Sequence, residues 1–165
     1  IRFATSAWRE RSVSEQFTAI GRFIDELIRP AVHDAARALL RRHVEAGDRV
    51  AIVTATNEFI TRPIATLFGV DELIATELQR DDAGRVTGAV SGVPAYREGK
   101  VTRVQQWLAR QGLDCGDFER ITFYSDSTND LPLLERVSHP VATNPAPALE
   151  RIALERGWPI LRLFA

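Results

Sequence analysis

Apolar positions fall into helical spacing almost from the start of the chain. Phe17, Ile20, Ile24, Leu27 and Ile28 recur three and four residues apart, which predicts an amphipathic helix from Ser14 that Pro30 ends. Val32, Ala36, Leu39, Leu40 and Val44 give a second stripe, a helix from Ala31 to Ala46 carrying His33 and His43, with Gly47 as the residue after its cap. The pattern then changes period. Arg49 to Val53 is a short apolar run feeding Thr54, and Thr61 to Phe68 reads as a helix capped by Thr61, with Pro63 in its first turn and Gly69 at its end. Leu73–Gln79 and Arg85–Val90 are two strands joined by a turn at Asp81–Gly84, and Gly88, Gly92 and Pro94 make the next stretch irregular. Before all of these, Ile1 to Thr5 has the composition of a short strand.

The second half alternates more regularly. A helix led by Lys100 has Val101, Val104 and Leu108 on its core face and Gly112 at its end. Ile121–Tyr124 is a strand, Leu131–Val137 a short helix and Pro140–Ala142 a brief strand. Asn144-Pro145 suits the cap and first position of a helix to Arg156, closed by Gly157, and Trp158–Phe164 is a last strand. Strand and helix in alternation predict an α/β fold, a Rossmann-like parallel sheet with helices on both faces.

Composition narrows the picture. The 165 residues suffice for one domain, or one domain and a fragment, and 45% hydrophobic content allows a real core. A net charge of −1 gives no case for nucleic acid or a membrane surface as partner, and no apolar run approaches the length of a membrane-spanning helix. The single cysteine, Cys115, excludes an intrachain disulfide and a thiolate zinc cluster, and suits a reducing cytoplasm. The chain begins at Ile1 and has no methionine, so it is expected to be part of a longer translation product.

Chemistry concentrates at the predicted strand ends. Thr54, with the backbone N–H groups of Ala55 and beyond, can hold a phosphate oxygen. Lys100 leads a helix where the dipole disfavours a cation, which hints at another duty such as neutralising phosphate. Asp126 and Asp130 flank a strand-to-helix loop with Asn129 between them, and their carboxylates are hard oxygen ligands of the kind Mg²⁺ takes. Each feature alone also fits ordinary turns, caps and solvated side chains. Their order along the chain (hydroxyl, lysine, acidic pair) is more specific than any one of them.

That order resembles the haloacid dehalogenase superfamily of phosphohydrolases, in the subgroup like phosphoserine phosphatase. Val50–Thr54 resembles its second motif, Glu98-Gly-Lys100 its third, and Ser125-Asp126-Ser-Thr-Asn129-Asp130 its fourth. Ile52–Asn57, Asp130–Glu135 and Gly157-Trp-Pro159 resemble a bacterial branch of the same subgroup, so the likeness runs from about Ile28 to the C-terminus. The resemblance implies a Mg²⁺-dependent phosphatase of small phosphorylated metabolites, acting through an aspartyl-phosphate. Thr54 would bond the transferring phosphoryl group and Lys100 would neutralise it. Asp126 would bind Mg²⁺, Asp130 would support the metal, and Asn129 would donate to phosphate or orient the nucleophile. A cytoplasmic location goes with this reading.

One family element has no counterpart. The first motif, a strand followed by D-x-D-x-T, supplies the nucleophile, and Asp25, Asp34 and Asp48 have no partner two residues on. The family's helical cap follows that motif, so residues 1–30 are expected to be the trailing part of a cap and residues 31–165 a core lacking its first strand. The nucleophile is then expected upstream. The rival expectation is a truncated or degenerate domain that keeps only a phosphate or metal pocket or an interaction surface, because covalent catalysis needs a nucleophile.

Overall fold

The structure, a computed structural model, describes residues 12–164. The expected strand at Ile1 to Thr5 lies outside them. The chain divides into two compact units, Ile1–Pro94 and Ala95–Ala165.

In the first unit, helix α1 (Val13–Phe23) opens on a capping box. The Ser12 hydroxyl accepts from the Glu15 N–H, and the Glu15 carboxylate accepts from the Ser12 N–H at 2.7 Å. Pro30 does not end the helical path as expected. A π-helical turn at Ile24–Ile28, in which the Arg29 N–H bonds to the Ile24 carbonyl, leads into a last α turn at Arg29–Ala31. The wider turn shifts the hydrogen-bond register ahead of the proline, which has no N–H to give. The chain leaves the helix at Val32, and α2 spans Asp34–Glu45, so His33 caps this helix and is not part of it. Gly47 follows the C-cap with φ 79°, as its position predicts.

Strand β1 (Ala51–Asn57) runs past Thr54, further than the apolar run indicates. It pairs in parallel with β2 (Glu72–Arg80) up to Val53↔Ile74, and the next pair is Asn57↔Thr76. Thr54, Ala55 and Thr56 therefore stand opposite Ala75 alone, an irregularity that takes them off the ladder. Asn57 caps α3 (Glu58–Leu67), its side chain accepting from the Ile60 N–H at 3.1 Å. Thr61, expected in that role, lies inside the helix and donates back to the Asn57 carbonyl, and Pro63 is likewise internal. The cap falls where the strand ends, at Asn57, one turn before the first apolar-periodic residue suggests it. β2 turns through Asp81–Gly84 into antiparallel β3 (Val86–Ser91). Gly88 sits inside β3 with φ 80°, where the register shifts between Leu78↔Val90 and Arg80↔Val86. Ile20, Ile24, Ala65, Val70, Ile74, Ala75, Leu78 and Val86 are buried in this unit.

In the second unit, α4 (Glu98–Ala109) starts two residues before Lys100. Strands β4 (Thr122–Ser125), β5 (His139–Thr143) and β6 (Ile160–Leu161) form a parallel sheet in that order. Between β4 and β5 come a 3₁₀ turn at Thr128–Asp130 and the one-turn helix α5 (Leu131–Leu134), shorter than its apolar pattern predicts. Helix α6 (Pro147–Arg156) begins at Pro147 with Ala146 as cap, and Gly157 closes it with φ 66°. Asn144 is not that cap. It adopts φ 43° and spends its amide on the C-terminal segment, accepting from the Leu163 N–H at 2.8 Å and donating to the Phe164 carbonyl. Those bonds hold by side chain what was expected as ladder from Trp158 to Phe164, so β6 is only two residues long. Leu134, Ala142, Leu149 and Ala153 form the core beneath the sheet, with Phe123, Leu131, Trp158 and Ile160 packed against them.

Candidate active site

The carboxyl end of β4 organises the site. Ser125, the last strand residue, is buried, and its hydroxyl donates to Asp130 Oδ2 at 2.7 Å while accepting from the Ser127 N–H at 3.2 Å. Ser127 in turn caps the 3₁₀ turn, its hydroxyl accepting from the Asn129 N–H. A strand that ends in a small hydroxyl residue thus folds the acidic loop back on itself. This carries Asp130 into the interior and leaves Asp126 exposed at the sheet edge.

Lys100 reaches the same carboxylate from α4. Its Nζ lies 2.6 Å from Asp130 Oδ1, and the two side chains are 7% and 9% exposed. The ammonium also lies 5.9 Å from the Phe123 ring centroid. A lysine poorly placed for its helix dipole is compensated by a buried carboxylate on another element. With one oxygen facing Lys100 and the other accepting from Ser125, Asp130 fixes the height and direction of the ammonium.

Among the described residues, the Asp126 carboxylate has no hydrogen-bond or ion-pair partner, while its backbone carbonyl accepts from the Ala146 N–H at 2.9 Å. The loop is anchored by main chain, and its carboxylate stays available. Asn129 is half-buried and its Oδ1 accepts from the Tyr96 hydroxyl at 3.1 Å. The unit therefore gathers Lys100, Asn129 and Asp130 and sets Asp126 at the open end of the same loop.

Thr54 and Ala55 belong to the first unit, in the irregular part of β1. The Thr54 hydroxyl accepts from the Thr56 N–H at 3.2 Å, which folds the backbone into a small turn there. Ser125 stands in the fourth motif, but its bond to Asp130 carries no signal in the sequence, and Tyr96 belongs to no motif.

A divalent ion is tested here by the donors present. Among the described residues, no three of His, Cys, Asp and Glu group closely enough to hold a metal. Asp126 offers one exposed carboxylate without a partner among the described residues. Mg²⁺ is commonly bound by one or two carboxylates together with waters and substrate phosphate, so the site fits as a partial ligand set.

A parallel sheet with acidic residues and a lysine at its carboxyl edge is an arrangement suited to phosphate chemistry. The model of the haloacid dehalogenase-like hydrolases matches residues 2–135, and the chain belongs to that family. The chain is 46% identical over 139 residues to a histidinol-phosphatase of Neisseria meningitidis serogroup C, covering 84% of this chain and 63% of that protein. It is 48% identical to a solved protein of unknown function from Bordetella pertussis, with a TM-score of 0.96, over 99% of this chain and 73% of that one. A substrate-bound phosphoserine phosphatase shares the fold at 21% identity and a TM-score of 0.57, over 76% of this chain and 56% of that one. The fold is therefore the expected Rossmann-like α/β fold of this family. The chain spans less than two thirds of the curated relative's length.

Proposed function

We propose that the protein to which this chain belongs is a Mg²⁺-dependent phosphomonoesterase of small phosphorylated metabolites that works through an aspartyl-phosphate. The observation that carries the reading is the buried Lys100–Asp130 pair, held by Ser125, beside the unpartnered Asp126 carboxylate. Phosphoryl transfer requires in-line positioning and neutralisation of charge on the phosphoryl oxygens more than it requires covalent chemistry from many groups. Lys100, held by Asp130, supplies a fixed positive charge toward the phosphoryl group. Asn129 donates from its amide, and in the first unit the Thr54 hydroxyl and the Ala55 N–H are donors of the kind a phosphoryl oxygen takes. Asp126 and, in support, Asp130 would hold Mg²⁺, which when bound neutralises phosphate charge and orients the transferring group.

The attacking carboxylate is proposed to lie upstream of Ile1, with residues 1–30 the end of a helical cap and residues 31–165 the rest of the core. Its oxygen forms a bond to phosphorus as the ester P–O bond breaks, and the departing alkoxide takes a proton. Water then cleaves the acyl phosphate, releasing inorganic phosphate and restoring the carboxylate. The substrate class proposed is an amino alcohol phosphate or phosphoamino acid. Histidinol phosphate is the first to assay, because the 46% identical relative is named for it.

The test is hydrolysis of histidinol phosphate and p-nitrophenyl phosphate by the complete protein, with Mg²⁺ and with EDTA, beside Asp126→Asn. Turnover that needs both Mg²⁺ and Asp126 is expected. Turnover that persists in EDTA or in Asp126→Asn would sink the metal assignment. A folded complete protein with no turnover would favour a non-catalytic relative that retains the pocket.

A further inference from the structure

We infer that Tyr96 is a positioning residue for phosphate recognition, acting through Asn129; this rests on the reading of the site just given. Tyr96 is 46% exposed, and its hydroxyl donates to Asn129 Oδ1 at 3.1 Å. An amide is planar, so a donor fixed on its oxygen decides where its NH₂ points. With Oδ1 occupied by the phenol, Asn129 presents its two N–H bonds to the other side as phosphate donors. Without the phenol, the side chain is free to turn over and offer an oxygen, which repels a phosphate.

The backbone around Tyr96 supports the assignment. Arg97, the next residue, has φ 48° and ψ −122°, a conformation rare and strained for a bulky residue. The Lys100 N–H donates to the Arg97 carbonyl, and the Gly99 N–H donates to the Tyr96 carbonyl, both at 2.9 Å. One strained turn therefore launches two side chains toward one 3₁₀ turn, Tyr96 to Asn129 and Lys100 to Asp130. The Arg97 guanidinium lies 5.3 Å from the Tyr96 ring centroid and holds the ring from its face. Glycine is the unstrained choice at such a φ, and this chain has Arg97 there, at the entry to the helix that carries Lys100.

The experiment is a double-mutant cycle in the complete protein with Tyr96→Phe and Asn129→Ala. It reads kcat and KM for p-nitrophenyl phosphate, the inhibition constant of inorganic phosphate, and the thermal unfolding midpoint. Phenylalanine keeps the ring and its cation contact and removes only the hydroxyl. Tyr96→Phe is expected to weaken phosphate inhibition about three- to tenfold, the usual worth of one hydrogen bond, with the midpoint unchanged. In the Asn129→Ala background the same change is expected to do nothing further. Unchanged phosphate inhibition in Tyr96→Phe, beside a clear loss in Asn129→Ala, overturns the inference and leaves the site reading standing. A full-sized Tyr96→Phe effect persisting without Asn129 also overturns it, as does a fall in midpoint with no shift in phosphate inhibition. Parent-like phosphate inhibition in Asn129→Ala overturns both the assigned role of Asn129 and the inference built on it, while Asp126→Asn still decides the metal site separately.

Discussion

Two carboxylates four residues apart have opposite physical situations. Asp130 is buried, with Lys100 on one oxygen and Ser125 on the other; Asp126 is exposed and unpartnered among the described residues. Replacing Lys100 by Met leaves a buried carboxylate without its counter-charge, and breaking such a pair costs about 3–5 kcal/mol. Urea unfolding should show that loss, and a change below about 1 kcal/mol would mean that the Asp130 carboxylate does not depend on Lys100 for its counter-charge. Asp126→Asn removes no internal contact, so its stability should stay within about 0.5 kcal/mol of the parent while Mg²⁺-dependent turnover disappears. A mutant that loses activity and stability together would place Asp126 in the scaffold. The acidic loop and Lys100 were legible from the sequence because their order along the chain is distinctive. Ser125 was legible as part of that loop but its bond to Asp130 was not, and Tyr96 was not legible at all, since pairings such as Tyr96–Asn129, 33 residues apart, leave no trace in local spacing.

At the scale of elements, periodicity found most helices and strands, and their ends were set by groups that periodicity does not weigh. Asn57 took the cap expected of Thr61 because the strand ends there, and Asn144 was drawn from a cap position to the Leu163 and Phe164 backbone. The Asp81 hairpin is the case where turn chemistry and structure agree. Asp81 accepts from the Arg85 and Ala83 N–H groups and from the Arg85 guanidinium, at 2.8 to 3.0 Å. Chiefly the Arg85 backbone bond, then the Arg85 side chain, hold its carboxyl below its ordinary value against the opposing effect of burial. A carboxylate whose folded pKa is depressed stabilises the fold at pH above its unfolded value, and that contribution is lost as pH falls through the folded value. Acidification from neutral pH should therefore loosen the β2–β3 turn at the acid end of the carboxylate range. Amide exchange at Ala83 and Arg85 checks this. Protection there that is the same in Asp81→Asn at neutral pH would show that the charge contributes nothing.

Over the whole chain, each unit carries a parallel strand that is paired on one side among the described residues, β1 with β2 and β4 with β5. Both have the composition of interior strands, Ala51-Ile-Val and Thr122-Phe-Tyr, yet Ile52, Val53, Phe123 and Tyr124 are only half-buried. Parallel strands of this kind are normally covered on both faces and flanked on both edges. A bare parallel edge with apolar side chains is a template for pairing with another strand. Thr54 follows the regular part of β1 and Asp126 follows β4, so a strand pairing at either edge also approaches a residue that bears proposed chemistry. The 165-residue chain alone is therefore expected to self-associate, and sedimentation velocity should show mass rising with concentration. Adding a preceding segment that contains a strand and a D-x-D-x-T pattern should reduce self-association and introduce turnover at the same time, because such a strand would both cover an open edge and supply the nucleophile. A concentration-independent monomer of residues 1–165 with sharp cooperative unfolding would refute the open-edge reading and require that the strands be completed from within this chain.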